Sequence, residues 1–315
     1  MNHLASLTIV VPCFNEEDML PISVPKFIDI LENLIQQQLV TEESRILFVD
    51  DGSKDKTWQL ISQYNKQNDK VQGLKLSKNF GHQNALLAGL MQIKTDMSIS
   101  IDADLQDDPS VIVDMIKAYY AGAEIVYGVR NDRSSDSFAK RFFAQSYYKF
   151  LEKLGVDIVQ DHADFRLMSR KALDTLKDFK EVNLFLRGII PILGFRHAKV
   201  YYSRLSREAG ETKYNLKKML ALALNGVTSF SVMPLILIMW LGFLISLVSG
   251  VMGLWALIVK FFVGGTVHGW TSIVVPMYFL GGIQLLTLGV IGIYISKVYL
   301  EVKARPRFII EDELT

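Results

Sequence analysis

Apolar residues along this chain gather in short β-branched runs that end abruptly in polar loops. Leu7 to Val11, Arg45 to Val49, Val71 to Leu76 and the alternation Met97, Ile99, Ile101 each read as a buried strand, with Ile125 to Tyr127 as the next. Helix-like stretches lie between them, at Leu20 to Gln38, from near Lys56, and at Gln83 to Lys94. Strands alternating with helices predict βαβ units, hence a largely parallel sheet with right-handed crossovers. Four successive strands run into polar loops: Pro12-Cys-Phe-Asn15-Glu16-Glu17, Asp50-Asp51-Gly52-Ser53, Ser77-Lys78-Asn79-Phe80-Gly81-His82, and Asp102-Ala-Asp104-Leu-Gln106-Asp107-Asp108-Pro109. In an open α/β sheet that edge binds ligands, so the four loops form one predicted rim.

The pattern changes in the second half. From Asp132 to Gly155, Phe138, Phe142, Phe143, Tyr147, Phe150, Leu151 and Leu154 recur at helical spacing beside Arg133, Lys140, Arg141, Lys149 and Lys153. A basic, aromatic amphipathic helix suits a membrane interface; a helix packed on the sheet is the alternative. No charged residue occurs from Met219 to Val259, and after Lys260 none occurs until Lys297. Each stretch exceeds the ~20 apolar residues that cross a bilayer. Two spans are expected, Ser231 to Val259 and Trp270 to Ser296. Lys199, Arg204, Arg207, Lys213, Lys217 and Lys218 precede the first, and Lys297, Lys303, Arg305 and Arg307 follow the second. This asymmetry puts both ends in the cytoplasm. The expected organisation is a cytoplasmic α/β domain over 1–230, a transmembrane hairpin over 231–296 and a cytoplasmic tail over 297–315. In that tail, Arg305-Pro-Arg-Phe-Ile-Ile-Glu311 reads either as an exposed strand whose edge pairs with another chain, giving a homo-oligomer, or as a solvated tail.

Composition narrows the function. The net charge of +1 gives no polyanion signal, so no nucleic-acid partner is expected. Cys13 is the sole cysteine, which excludes an intrachain disulfide and agrees with a reducing compartment. The opening residues lack the basic-then-apolar plan of a signal peptide, so the N-terminal domain is expected to stay cytoplasmic. No GxGxxG follows the first strand and no GxxxxGK[ST] occurs, which disfavours dinucleotide and P-loop sites. The spans carry no carboxylate or basic residue, so an ion pathway is not expected.

The candidate chemistry is concentrated after the fourth strand. Asp102 and Asp104 in Asp-x-Asp spacing, with Gln106 two residues on, suit a hard divalent cation that also binds substrate phosphates. The alternative is a polar turn in which Asp108 and Pro109 cap the next helix.

Taken together, Val10-Val11-Pro12-Cys-Phe-Asn15-Glu16-Glu17, Val49-Asp50-Asp51-Gly52-Ser53-Lys-Asp55 and Asp102-Ala-Asp104-Leu-Gln106-Asp107 resemble family 2 inverting glycosyltransferases of the GT-A fold. Asn79-Phe-Gly81-His-Gln83, Asp164-Phe-Arg166-Leu-Met168 and Arg207-Glu-Ala-Gly210-Glu-Thr-Lys213-Tyr214, with two C-terminal spans, narrow the match to the polyprenyl-phosphate branch. That branch includes bactoprenol glucosyltransferases and dolichyl-phosphate mannose synthase. The resemblance implies an α/β GT-A domain with a mostly parallel sheet, followed by two transmembrane helices. It implies transfer of one sugar from a nucleotide diphosphate sugar (UDP-glucose or a related UDP-hexose) to polyprenyl phosphate at the cytoplasmic membrane. N-acetylglucosamine, an aminoarabinose derivative or GDP-mannose are alternative donors, and an inert membrane scaffold is the alternative of another class.

The same resemblance implies the residue roles. Pro12, Asn15, Glu16, Asp50 and Asp51 hold base and ribose, and Lys78 the pyrophosphate. Asp104 and Gln106 bind Mg²⁺ or Mn²⁺, with Asp102 in support. Arg130, Arg141, Arg166, Arg207 and Lys213 are candidates for the acceptor phosphate, since guanidinium forks match phosphate oxygens. Asp164 is the candidate base or orienting carboxylate, or else a salt-bridge partner for Arg166. The processive synthases of the family carry Gln-x-x-Arg-Trp, whereas this chain has Leu184-Phe-Leu-Arg187-Gly188, so a processive polymerase is not expected.

Overall fold

The computed structural model describes residues 4–130, 162–182, 186–203, 233–258 and 270–315. The order is β1 (Leu7–Cys13), α1 (Leu20–Gln36), β2 (Arg45–Asp50), α2 (Thr57–Gln67), β3 (Val71–Leu76), α3 (His82–Gln92) and β4 (Met97–Ser100). Then come α4 (Ile112–Tyr120), β5 (Ile125–Arg130), β6 (His162–Ser169), α5 (Arg170–Lys177), α6 (Leu186–Ile192) and β7 (His197–Tyr202). Two long helices, α7 (Met233–Ile258) and α8 (Trp270–Lys303), precede a last strand, β8 (Ile310–Leu314).

The eight strands form one sheet in the order β7-β5-β6-β4-β1-β2-β3-β8. Alternation along each strand feeds two cores. Leu7, Ile9, Val11 and Phe48 face α1, whose Leu20, Val24, Phe27, Leu31 and Leu34 recur on one helical stripe. Val10, Leu47 and Val49 face the opposite core with α3, α5 and α6. The result is a three-layer α/β/α unit.

Six strands run parallel, while β6 and β8 run against them. That reversal has a consequence for chemistry. The parallel strands deliver their loops at their C-terminal ends, but β6 delivers its beginning there, so Asp164 arrives beside the end of β4. Likewise β8 enters opposite the end of β3, with Ile310 paired to Leu76. The chain order also reverses at β1, with β2 and β3 on one side and β4 on the other, which marks a topological switch point. There β1 stays paired with β2 as far as Cys13 and Asp50, whereas its ladder with β4 stops at Val10 and Ser100. The two strands therefore part just ahead of Asp102, leaving a crevice.

The C-terminal segment departs from expectation. Residues 310–314 are neither a solvated tail nor an unpaired strand, because they pair with β3 of the same chain. Lys75 adds an ion pair to Glu311 at 3.2 Å. The new edge carries Glu311, Asp312 and Glu313, and charge of this kind discourages edge-to-edge association, so this segment gives no support to the homo-oligomer alternative. The amphipathic stretch expected at 132–155 lies outside the described residues.

Among the described residues one segment, Phe279–Lys303, is long and apolar enough to cross a bilayer, with 25 residues at mean hydropathy 1.8. Within α7, Trp240 and Phe243 are 60% and 61% exposed.

Close helix packing sets α3 in place. A Cβ on Gly89 would stand 2.6 Å from Val10 Cγ1 and 2.8 Å from Val49 Cγ2. Gly89→Ala should therefore lower stability by about 1–3 kcal/mol through overpacking, read as a reduced thermal midpoint of the full chain in detergent. An unchanged midpoint would show that α3 can move off the sheet without cost.

Candidate active site

The loops at the crevice are tied to one another through their own polar groups. Asp51, at the end of β2, accepts hydrogen bonds from the amides of Phe80 (2.7 Å) and Gly81 (2.9 Å), binding the β2 loop to the start of α3. Gly52 adopts φ +64°, and a Cβ there would stand 2.3 Å from the Lys78 carbonyl carbon, so glycine is required where these loops touch. Asn15, itself at φ 54°, donates its amide to Ser53 Oγ (2.9 Å) and accepts from the Lys54 amide through Oδ1 (2.9 Å). The Glu16 amide donates to Thr57 Oγ1 at 2.9 Å. Asp50 is fully buried and caps this turn by accepting from the Ser53 amide at 3.0 Å. Burial raises the pKa values of both Asp50 and Asp51 against these hydrogen bonds. Pro12 is buried in β1, while Lys78 is exposed and lies 5.1 Å over the Phe80 ring.

After β4 the chain takes a strained path. Leu105 has φ 52° although it is neither Gly nor Asn, and its side chain is 4% exposed. A left-handed leucine costs roughly 1–2 kcal/mol, here held by packing. The kink falls between Asp104 and Gln106, where it sets the direction of both. Asp104 Oδ1 accepts from the Gln106 amide at 3.2 Å, and Gln106 is 8% exposed. Asp108 does act as a cap, accepting from the Ser110 amide at 3.0 Å, so the turn reading holds for that residue. Asp107 is buried beneath, where its Oδ1 accepts from Arg130 Nη2 (2.7 Å) and the Tyr202 hydroxyl (2.5 Å).

The centre of the site is Asp164. Arg166 donates to it at 2.5 Å, and Arg187 approaches with Nε at 3.2 Å from Oδ1 and Nη2 at 3.1 Å from Oδ2. His82 Nε2 stands 3.3 Å from Asp164 Oδ2 and 3.7 Å from Asp102 Oδ1. Three elements thus bring cations to one carboxylate: β6, α6 and the first turn of α3. Burial alone would raise the pKa of Asp164, but the His82 hydrogen bond and the Arg187 and Arg166 charges hold it well below the usual carboxylate range. Partial withdrawal from water works against the imidazolium of His82. The hydrogen bond to Asp164 and the charge of Asp102 outweigh this and raise its pKa. Asp102, recessed in the cleft, is pushed up to about 6 by desolvation, reinforced by Asp164, Asp107 and Asp104 against the pull of His82.

This geometry revises one expectation. Arg166 is 1% exposed and is paired with Asp164 inside the sheet rather than presented to the cleft. The salt-bridge alternative is what the structure contains. Arg130 is 30% exposed at the cleft wall and bound to Asp107. Arg141, Arg207 and Lys213 lie outside the described residues. Arg187, His82, Asp107 and Tyr202 join the site without having been assigned a role from sequence. For His82 a signal existed, since it directly follows a glycine at a helix start on the predicted rim.

The sequence model described as Glycosyl transferase family 2 matches residues 8–177. The chain belongs to that family. This glycosyltransferase is 51% identical over 98% of its length to an uncharacterized glycosyltransferase of Bacillus subtilis, YkoT, covering 92% of that protein. It is 39% identical to the bactoprenol glucosyl transferase of Shigella phage SfV, over 98% of both chains. It is also 39% identical to a prophage bactoprenol glucosyl transferase homolog of Escherichia coli K12, over 97% of this chain and 98% of that one. The sheet with its crevice is the GT-A fold.

The donor set at the end of β4 fits a divalent cation. Among the described residues no three His, Cys, Asp or Glu side chains enclose an ion by themselves. Asp102 and Asp104 would supply two hard oxygen donors to an ion whose remaining positions are left for substrate phosphates. Desolvation, reinforced by the neighbouring carboxylates, raises Asp102, and a cation there would offset both.

The Asp164 cluster makes stability depend on pH in a defined direction. Its carboxylate is depressed, so its contribution is present above the unfolded value of ~3.9 and is lost as pH falls through the native value. His82 is raised, so its contribution is complete below ~6.5 and is lost as pH rises through the native value. Asp164→Asn should flatten the acid limb and cost about 3–5 kcal/mol by leaving Arg166 buried without its counter-charge, and adding Arg166→Met should recover part of that loss. Thermal midpoints of the three proteins across acid to neutral pH check this, and a wild-type midpoint in the single variant would overturn it.

Proposed function

We propose that this glycosyltransferase moves one sugar from a nucleotide diphosphate sugar, UDP-glucose or a related UDP-hexose, to polyprenyl (undecaprenyl) phosphate at the cytoplasmic membrane face, with inversion. The observation that carries the reading is that both connections to the apolar helices leave from the catalytic edge of the sheet. β7 runs with the parallel strands and ends at that edge before the chain reaches α7. β8 enters at the same edge seven residues after Lys303 ends α8. An acceptor whose tail lies in the bilayer has its headgroup where those helices emerge. The near full-length similarity to bactoprenol glucosyl transferases, which extends through the apolar helices, supports the same acceptor.

Connectivity also supports two crossings. Tyr202 and Ile310 belong to one sheet, so the chain between them crosses a bilayer an even number of times. With α8 as one crossing, α7 supplies the other: its 26 uncharged residues span about 39 Å at 1.5 Å per residue, enough for a ~30 Å core. Catalytic domain and C-terminus then share the cytoplasmic side.

Within the cleft, Pro12, Asn15, Glu16, Asp50 and Asp51 are the proposed contacts to base and ribose, with Lys78 beside the pyrophosphate. Each oxygen of Asp51 can accept a second hydrogen bond, so holding the loop is compatible with touching the nucleotide. Asp104, Gln106 and Asp102 would hold Mg²⁺ or Mn²⁺, which when bound acts as a Lewis acid on the departing diphosphate. Arg187, 35% exposed at the Asp164 cluster, takes the acceptor-phosphate role expected of Arg166, with Arg130 on the cleft wall.

An acceptor phosphate oxygen attacks the anomeric carbon as the bond from that carbon to the diphosphate oxygen breaks, releasing the nucleoside diphosphate. With a second pKa near ~6 the acceptor is largely dianionic at neutral pH, so no proton need be removed. Asp164, held well below the usual range by its cations, makes a poor base. Its role is to orient Arg187 and His82.

Membranes containing the protein, supplied with undecaprenyl phosphate, Mg²⁺ and a panel of radiolabelled UDP- and GDP-sugars, should move label from one UDP-hexose into the organic phase. Asp104→Ala and EDTA should each lower the rate by about 10²-fold or more, the scale of losing a transition-state charge partner. No transfer from any donor by folded protein would overturn the reading and favour an inert scaffold.

A further inference from the structure

The inner end of α8 does more than leave the bilayer: it grips the segment that leads to Arg187. Glu301, in the last turn, accepts the Val182 amide at 2.8 Å. Arg307, just beyond the helix, donates through Nη1 to the Phe179 carbonyl at 2.9 Å. Phe179 and Val182 are therefore held from the membrane side by two residues more than a hundred positions later in the chain. On the far side of residues 183–185, the Leu186 amide donates to Gln83 Oε1 at 3.1 Å, which fixes the start of α6 next to His82. The following residue, Arg187, reaches Asp164 with two of its nitrogens. Val182 and Leu186 are four residues apart, so the link spans at most about 14 Å.

We propose that Glu301 and Arg307 are positioning residues for the transfer reaction, fixing the 179–182 segment so that the seating of α8 sets where Arg187 stands on Asp164. The inference rests on the glycosyl-transfer reading above for its consequence in activity, but not for its geometry. The backbone from Phe179 to Val182 takes these two hydrogen bonds from side chains of another part of the chain, so they bear on a segment between helices rather than on a regular element. Release of either lets the approach to α6 fluctuate without disturbing β6 or the core.

The test uses the full chain in nanodiscs. Glu301→Ala should speed amide hydrogen exchange across 179–190 by at least about fivefold while leaving β1 and β4 at wild-type rates, as local opening does. Glu301→Gln keeps an oxygen acceptor and should restore slow exchange. In the lipid-transfer assay Glu301→Ala should lose roughly tenfold in kcat/KM for the polyprenyl acceptor with the donor KM unchanged, and Glu301→Ala with Arg187→Ala should be no slower than Arg187→Ala alone, since coupled residues are not additive. Unchanged exchange in Glu301→Ala, exchange raised over the whole sheet, or additive losses in the double variant would each overturn the proposal. If wild-type protein transfers no sugar, the functional reading falls, and the exchange measurement still decides whether Glu301 and Arg307 position the segment.

Discussion

One buried carboxylate organises the catalytic edge. Asp164 is nine-tenths withdrawn from water and is paired with Arg166, Arg187 and His82. Such a cluster is not built for stability. Arg166 is fully enclosed, and among the described residues its Nε and Nη1 have no hydrogen-bond partner. Burying that guanidinium costs desolvation that one ion pair does not fully return. What the arrangement provides is fixed direction: three elements far apart in sequence are held to one point, and a displacement of any of them leaves a charge unpaired at low dielectric.

That point lies where it does because β6 runs backwards. A parallel strand would bring its first residues to the opposite edge of the sheet, away from Asp102 and Asp104. Inserted antiparallel between β4 and β5, β6 brings Asp164 beside the end of β4, and Ser100 Oγ donates to the Asp164 carbonyl to join the two. The same inversion in β8 returns the chain from α8 at the catalytic edge. Two reversed strands therefore serve one geometric end, with the Asp102–Asp104 stretch and the return from the apolar helix α8 brought to the same side of the sheet.

Much of this was legible in the residues. β1 to β5 were set by β-branched runs with sharp polar ends, and β3 came out at its expected bounds, Val71 to Leu76. The predicted rim is the observed edge, since period-two alternation and the polar stops are local features. β6 escaped because Asp164 and Arg166 occupy one of its faces, and charged residues read locally as loop although they neutralise each other inside the sheet. β7 escaped for another reason: its residues are largely exposed or half-buried, so no apolar period marks them. The difference between Arg187 and Arg166 could not be read from sequence, because both are arginines in family-like motifs and what separates them is burial. β8 is acidic, and its strand character comes from the partner it finds in β3 rather than from its own composition.

Pairing between β3 and β8 also changes what the C-terminal helices are. A tail that ended free after α8 would leave that apolar helix joined to the catalytic domain on one side only. Because the chain instead closes into the sheet, with the Ser77 amide on the Ile309 carbonyl at 3.0 Å and Lys75 on Glu311, α8 is fixed at its inner end to the strand that leads into the Lys78 loop. Glu301 and Arg307 fix the same end to the segment approaching Arg187. The last turn of α8 and the residues that follow it are thus tied both to β3 and to the 179–182 segment. Joined this way, the catalytic domain and α8 are parts of one folded unit.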